Sequence, residues 1–126
     1  MSPEGGTVTA QPDSDPQSPR HGPVGAPLLP VDLEAYAGAS ELLRALSAPL
    51  RLAIVDVLAD GDRCVHELVD ALAVSQPLVS QHLKTLRSAH LVITRRRGRE
   101  VVYRLSDDHV AHVARDALSH ARESSW

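Results

Sequence analysis

The feature that most constrains this chain is a change of period after His90. Up to that point the apolar residues recur every three or four positions, as on the buried face of a helix. Then "LVITRRR" and "REVVYRL" bring β-branched residues on either side of Gly98, which reads as a β-hairpin with an arginine-rich tip. Beyond it the helical period returns. Before the switch, four helical segments can be marked. The first is "VDLEAYAGASELLRALSAP", starting at Asp32 and stopping near Pro49. "PLRLAIVDVLADG" carries Pro49 in its first turn and Gly61 as its stop, with a stripe through Leu50, Ile54, Val57 and Leu58. "CVHELVDALAV" is amphipathic through Val65, Leu68, Val69 and Leu72. "SQPLVSQHLKTLRSAH" has Ser75 as N-cap, Pro77 in the first turn and Val79, Leu83 and Leu86 on one face. The expected fold is mainly α with one β-hairpin. Two short helices and a tight turn followed by a hairpin is the order of a winged helix-turn-helix.

Composition sets where that domain lies. Seven of the nine prolines fall within the first thirty residues, where no apolar period runs. Such a segment cannot bury enough surface to offset its ordering entropy, so residues 1–31 read as a disordered tail and residues 32–126 as the folded domain. The tail does not read as a secretory leader, and nothing approaches the ~18 apolar residues of a membrane span. A domain of about ninety residues has a thin core. With no Phe and one Trp, that core must be aliphatic, and dimerisation is one way to add buried area. The single cysteine excludes an internal disulfide and fits a reducing cytoplasm.

Net charge is −3, which argues against a general nucleic-acid binder. The average conceals an asymmetry. Between Ala71 and Arg104 there are seven Lys or Arg and one acid, Glu100. In the fourth helix, the face opposite Val79, Leu83 and Leu86 carries Pro77, Ser80, Gln81, Lys84 and Thr85, small polar or cationic groups suited to base edges and phosphates. The hairpin adds Arg95, Arg96, Arg97 and Arg99. Taken singly, these features also fit a solvated surface helix and a basic edge strand guarded against aggregation. Together and in this order they point to double-stranded DNA.

The final segment, "DDHVAHVARDALSHARE", holds three of the seven histidines. Capped by Ser106 or Asp107, it has an apolar stripe through Val110, Val113, Ala114, Ala117, Leu118 and Ala121. His120 is rotated by about 20° from His109, and Glu123 by about 40° the other way, so the three share a strip bordering the stripe. Eleven residues of helix nevertheless span about 16.5 Å, whereas zinc ligands sit about 2 Å from the metal. One helix cannot chelate with both ends. An antiparallel copy can, bringing Asp107 and His109 of one chain to His120 and Glu123 of another, with two equal sites by symmetry and the stripe as the seam. The same spacing fits a dimer helix whose histidines are merely polar, and His112 lies about 60° from His109, off the strip.

From about Glu41 to Glu123 the chain resembles the ArsR/SmtB family of metal-sensing repressors, through "ELLRALSAPLRLAIVDVLADGDRCVHELVDAL", "VSQPLVSQHLKTLRSAHLV" and "RRGREVVYRL". The terminal segment resembles the pattern of zinc-sensing members, D-x-H, ten residues, H-x-x-E. The resemblance implies a winged-helix homodimer paired through its first and last helices. Its apo form would bind an imperfect inverted-repeat operator and repress metal-homeostasis genes. Zn(II) would be held by Asp107 and His109 with His120 and Glu123 of the partner subunit, and would lower DNA affinity. Gln76, Ser80 and Gln81 match the family's DNA-contact positions. A ligand histidine would couple to the reading helix through the backbone carbonyl at the position of His90. Some relatives have a second metal site; here Cys64, with His66 and Glu67, stands at that place, but the tail offers only His21. Cys64 alternatively reads as a small buried residue at a helix start, and His66 and His82 as surface or cap residues. The thiolates needed for arsenite are missing. Cobalt or nickel, with His21 or His112 as extra ligands, is the first alternative, and a metal-independent winged-helix regulator the second. No nucleophile–base pair, phosphate loop or cofactor box suggests an enzyme or a small organic substrate.

Overall fold

The computed structural model describes residues 30–124. The tail expected over residues 1–31 therefore lies almost wholly outside the described residues, as do His21 and Trp126. Five helices and three strands follow in the order α1 (Leu33–Leu46), α2 (Pro49–Leu58), β1 (Arg63–Cys64), α3 (Val65–Leu72), α4 (Gln76–Ser88), β2 (Val92–Arg97), β3 (Glu100–Leu105) and α5 (Asp108–Glu123). All four helical segments and the hairpin expected before the last helix are present, within a few residues of their expected ends.

One element was not anticipated. The two residues of β1 pair with β3, Arg63 opposite Tyr103 and Cys64 opposite Val102, so the hairpin becomes a three-stranded antiparallel sheet of order β1-β3-β2. A strand of two residues has no period to read. Its effect is to fasten the base of the wing to the start of α3.

The helix-turn-helix is α3 and α4. α3 ends on Ala73, whose φ of 57° turns the chain in a left-handed conformation that usually favours glycine. Two residues later Ser75 caps α4, its hydroxyl accepting the Leu78 N–H at 3.4 Å. Val79, Leu83 and Leu86 are then almost completely buried. They meet Ile54, Val55 and Leu58 of α2, Leu68 of α3, and Leu91 and Val92 at the entrance to the sheet in one aliphatic cluster. No buried residue among those described is polar or charged.

The exit from α4 is a closed cap. His90 has a φ of 62°. Its N–H reaches the Arg87 carbonyl, and the Leu91 N–H reaches Leu86, each at 3.0 Å, the paired bonds of a Schellman motif with histidine where glycine is usual. The Leu91 carbonyl then accepts the Ser106 N–H at 3.0 Å, so the residue that closes the α4 cap is bonded to the residue before the cap of α5.

The stripe expected along α5 is divided. Val110 and Ala114 are 2% and 3% exposed and belong to the protomer's own core. Ala117, Leu118 and Ala121 are exposed. The helix runs past the body it packs on, so only the C-terminal half of the expected seam is open.

Candidate functional site

Two surfaces carry the residues singled out from the sequence. The first is built on α4 and the wing. With the stripe of α4 turned inward, Gln76, Ser80, Gln81, Lys84 and Thr85 are all exposed. The Ser75 cap and Pro77 fix the first turn, so Gln76, Ser80 and Gln81 project from the end of the helix that points its free N–H groups outward. The polar face therefore needs no rearrangement within the protomer.

The wing turns through Gly98 and Arg99 between the paired residues Arg97 and Glu100, with Gly98 at a φ of 65°. Strand alternation places Arg95 and Arg97 on one face and Arg96 on the other. The side chains of Arg95, Arg96 and Arg99 make no hydrogen bond or ion pair with the other described residues. Arg97 differs. Its guanidinium lies 3.0 Å from the Glu67 carboxylate and 3.3 Å from Glu100. Glu67 also accepts the Cys64 backbone N–H at 2.8 Å. That bond, and then Arg97, hold the Glu67 carboxyl below the usual carboxylate range. The bonds to Glu67 and Glu100 in turn raise Arg97 further above the range where it could lose its proton. Arg97 thus latches the wing to α3.

The second surface is α5. Asp107 caps it, one carboxylate oxygen accepting the Val110 N–H at 3.2 Å. The same oxygen lies 3.6 Å from Nδ1 of His109. Tetrahedral ligands about 2 Å from a zinc ion stand roughly 3.3 Å from one another. The Asp107–His109 pair is therefore spaced as two ligands of one metal, and the cap holds the carboxylate in place. Asp60, Asp62 and Asp108 line the same cleft as Asp107; Arg104 reaches Asp62 at 3.6 Å and Arg115 reaches Asp60 at 3.0 Å, so among the described residues Asp107 and Asp108 are the carboxylates there without an arginine partner. His120 and Glu123 are exposed three turns further along. Among the described residues of one protomer no three His, Cys, Asp or Glu side chains are grouped closely enough to hold a metal ion. A single chain brings together half of the expected ligand set and leaves the other half at the far end of the helix. His112 is exposed.

At the second metal position, Cys64 is buried and occupies the N-cap of α3, its sulfur taking the N–H of Glu67 while Glu67 returns its carboxylate to the Cys64 N–H. That reciprocal cap engages two of the three residues, and His66 is exposed. Two polar clusters were not visible in the sequence. Arg115 of α5 bonds Asp56 at 2.8 Å and Asp60 at 3.0 Å, fastening α5 to α2. Arg51 of α2 meets His82 of α4 at 3.1 Å. The partners in each are separated by tens of residues, and no local pattern links them.

This arrangement of reading helix, wing and terminal helix agrees with the comparisons. Residues 48–94 match the family described as bacterial regulatory protein, arsR family. The chain is 58% identical over 96 residues to the HTH-type transcriptional repressor SmtB of Mycobacterium tuberculosis, covering 76% of this chain and 71% of that one. It is 39% identical over 95 residues to the transcriptional regulator NmtR of the same organism, covering 75% and 79%. Among solved structures, reduced HlyU from Vibrio cholerae superposes with a TM-score of 0.64 at 35% identity, covering 73% of this chain and 96% of that one. A homodimeric winged helix-turn-helix DNA-binding domain from Mycobacterium bovis superposes at 0.66 with 28% identity, covering 80% and 94%. The fold is a winged helix-turn-helix, and the chain belongs to the ArsR family of bacterial transcriptional regulators.

Proposed function

We propose that this protein is a homodimeric, zinc-responsive repressor that binds operator DNA through α4 and the wing and leaves it when metal binds to α5. The observation that carries the reading is the division of α5. Asp107 and His109 are spaced as co-ligands at one end, His120 and Glu123 stand at the other, and the apolar residues between them turn exposed where the protomer's own core ends. A second copy running antiparallel would cover Leu118 and supply the missing ligands. α1 supports this, since Leu33, Tyr36 and Leu43 are exposed on it, an apolar surface a monomer has no use for.

Operator contact would fall to Gln76, Ser80, Gln81 and Lys84 in the major groove, with Arg95, Arg96 and Arg99 on the flanking backbone. Asp107 and His109 of one chain, with His120 and Glu123 of another, would hold the zinc and so link the two terminal helices. The chain's own residues give that site a short route to the reading head. Asp107 follows Ser106, Ser106 is bonded to Leu91, and Leu91 closes the cap of α4 through Leu86. His90 sits within that cap, so a ligand histidine bonded to its carbonyl would act on the same joint. The carboxylate–imidazole set, with the one cysteine engaged in a cap, favours zinc over a thiophilic ion.

The test is fluorescence anisotropy of the purified protein on labelled DNA from upstream of its own gene, titrated with zinc and then with chelator. Tight apo binding that zinc weakens and chelator restores is the expected result. His120→Ala should bind the same DNA and no longer respond. Release of that variant at the wild-type zinc concentration would refute the α5 site, and wild-type binding indifferent to zinc but lost with cobalt or nickel would reassign the metal.

A further inference from the structure

We infer that Arg51 and His82 form the joint that sets the angle of the reading helix against the pairing helix, and that they act as positioning residues for operator recognition. The inference rests on the DNA-reading role proposed above. It begins from how little of α1 touches the protomer. Of its fourteen residues only Ala45 and Leu46, at the C-terminal end, are buried. α1 is attached by its tip.

Arg51 sits at that tip. Its Nε donates to the Ala45 carbonyl at 2.5 Å, an acceptor in the last turn of α1 with no partner from its own helix. Its Nη1 lies 3.1 Å from Nδ1 of His82. One planar guanidinium therefore spans the end of α1, the body of α2 and the flank of α4. His82 lies about 60° around the helix from the buried stripe, half-buried, between the packed face and the exposed one. It is the side chain through which a neighbouring element can hold the rotation of α4 without entering the groove.

The chemistry fixes the roles. A guanidinium only donates hydrogen bonds, so Nδ1 of His82 is the bare acceptor and Nε2 carries the proton. Among the described residues no carboxylate lies within ion-pair distance of either group. The joint needs a neutral acceptor at the Nδ1 position. Asparagine places an oxygen there, and leucine offers similar bulk with no acceptor. In a dimer paired through α1, any rotation of α4 on α1 alters the separation of two reading helices that must meet half-sites one helical turn apart. Backbone contacts by the wing arginines are indifferent to that separation.

The experiment compares wild type with Arg51→Met, His82→Leu and His82→Asn in chelator. Each is titrated on the DNA upstream of the gene and on an unrelated duplex of equal length. Arg51→Met and His82→Leu should lose about tenfold in affinity for the upstream DNA, as expected for one charged hydrogen bond, and keep wild-type affinity for the unrelated duplex. His82→Asn should bind both as wild type does. The 15N shifts of the His82 ring should report an unprotonated, hydrogen-bonded Nδ1 that changes in Arg51→Met. Equal loss on both duplexes, a His82→Asn variant as weak as His82→Leu, or a protonated Nδ1 in the wild type would overturn the joint. Where Arg51→Met unfolds, the two His82 variants decide alone. A wild type that does not distinguish the two duplexes would instead refute the repressor reading, and this inference with it.

Discussion

α4 and α5 are both amphipathic helices with an oxygen cap at the N-terminus, yet they end in different states. In α4 the stripe residues Val79, Leu83 and Leu86 are consumed by its own protomer, and the polar face is left standing with Leu78, 38% exposed, beside it and one flank held by Arg51. In α5 the protomer consumes Val110 and Ala114, and Leu118 remains 36% exposed. A helix whose apolar face is satisfied can present a finished surface to a ligand. A helix whose apolar face is half satisfied, with a carboxylate and an imidazole at each end, would on the proposed reading be completed by another copy. In the function proposed above, the reading surface is a property of one chain, and the sensing surface is a property of two.

The largest test of that contrast is on the reading side. Ser80→Arg and Gln81→Glu alter exposed positions of α4 and should leave folding and zinc stoichiometry unchanged. Gln81→Glu brings a carboxylate against polyanionic DNA, a like-charge encounter costing several kcal/mol, so operator affinity should fall by more than about a hundredfold in anisotropy titrations. Ser80→Arg places a long side chain where a hydroxyl fits and should be comparably damaging. Wild-type affinity in both variants would mean that α4 does not read the operator.

A second pair of substitutions separates the two stripes. Leu86→Ala removes a buried side chain and should lower unfolding stability by about 2–5 kcal/mol in denaturant titrations. Leu118→Ala should leave monomer stability nearly unchanged and weaken self-association by roughly 1–2 kcal/mol, seen as a concentration-dependent shift in sedimentation. If Leu118→Ala left self-association untouched, the exposed half of α5 would not be the seam.

Asp107 lets capping and sensing be separated at one residue. Asp107→Ala should destabilise the apo protein by about 1 kcal/mol through loss of the bond to Val110. Asp107→Ser keeps a capping oxygen and loses the carboxylate, so the apo melting temperature should stay near wild type while zinc no longer releases DNA. A zinc-responsive Asp107→Ser variant would remove Asp107 from the ligand set.

How much of this was legible follows the same division. α4 could be read almost completely, because its cap and its inward residues all lie within one helix and period 3.6 reports burial directly. The wing could be read from Gly98 and its β-branched flanks. β1 could not, since two residues carry no alternation and the pairing partner is forty residues away. The α5 stripe was visible, but a periodic pattern does not say which core it enters, and Val110 and Leu118 look alike in sequence while lying in different environments. In the sequence the four arginines of the basic tip are equivalent. Folding distinguishes them, since Glu67 on α3 takes Arg97, and a sequence shows charge without showing who neutralises it.

That last difference gives the smallest effect and a sharper view of the reading surface. Arg95 faces solvent, and Arg97 is shared between Glu67 and Glu100. If Arg95 contacts a phosphate, Arg95→Ala should lower the slope of log affinity against log salt by about one. Arg97→Ala should change it by clearly less, because a cation already paired displaces fewer counterions. Glu67→Gln should leave Arg97 with Glu100 as its one charged partner and steepen the slope in part. Acid should imitate it. The folded-state pKa of Glu67 lies below its ordinary value, so the stabilisation from its carboxylate is present at neutral pH, begins to fade as pH drops below the ordinary carboxylate range, and is lost as pH falls through the lowered value. Both groups are about half exposed, so the contribution to stability is slight. The salt slope is the more sensitive reading, and identical slopes for Arg95→Ala and Arg97→Ala would mean that DNA draws Arg97 away from Glu67 and that the latch opens on binding.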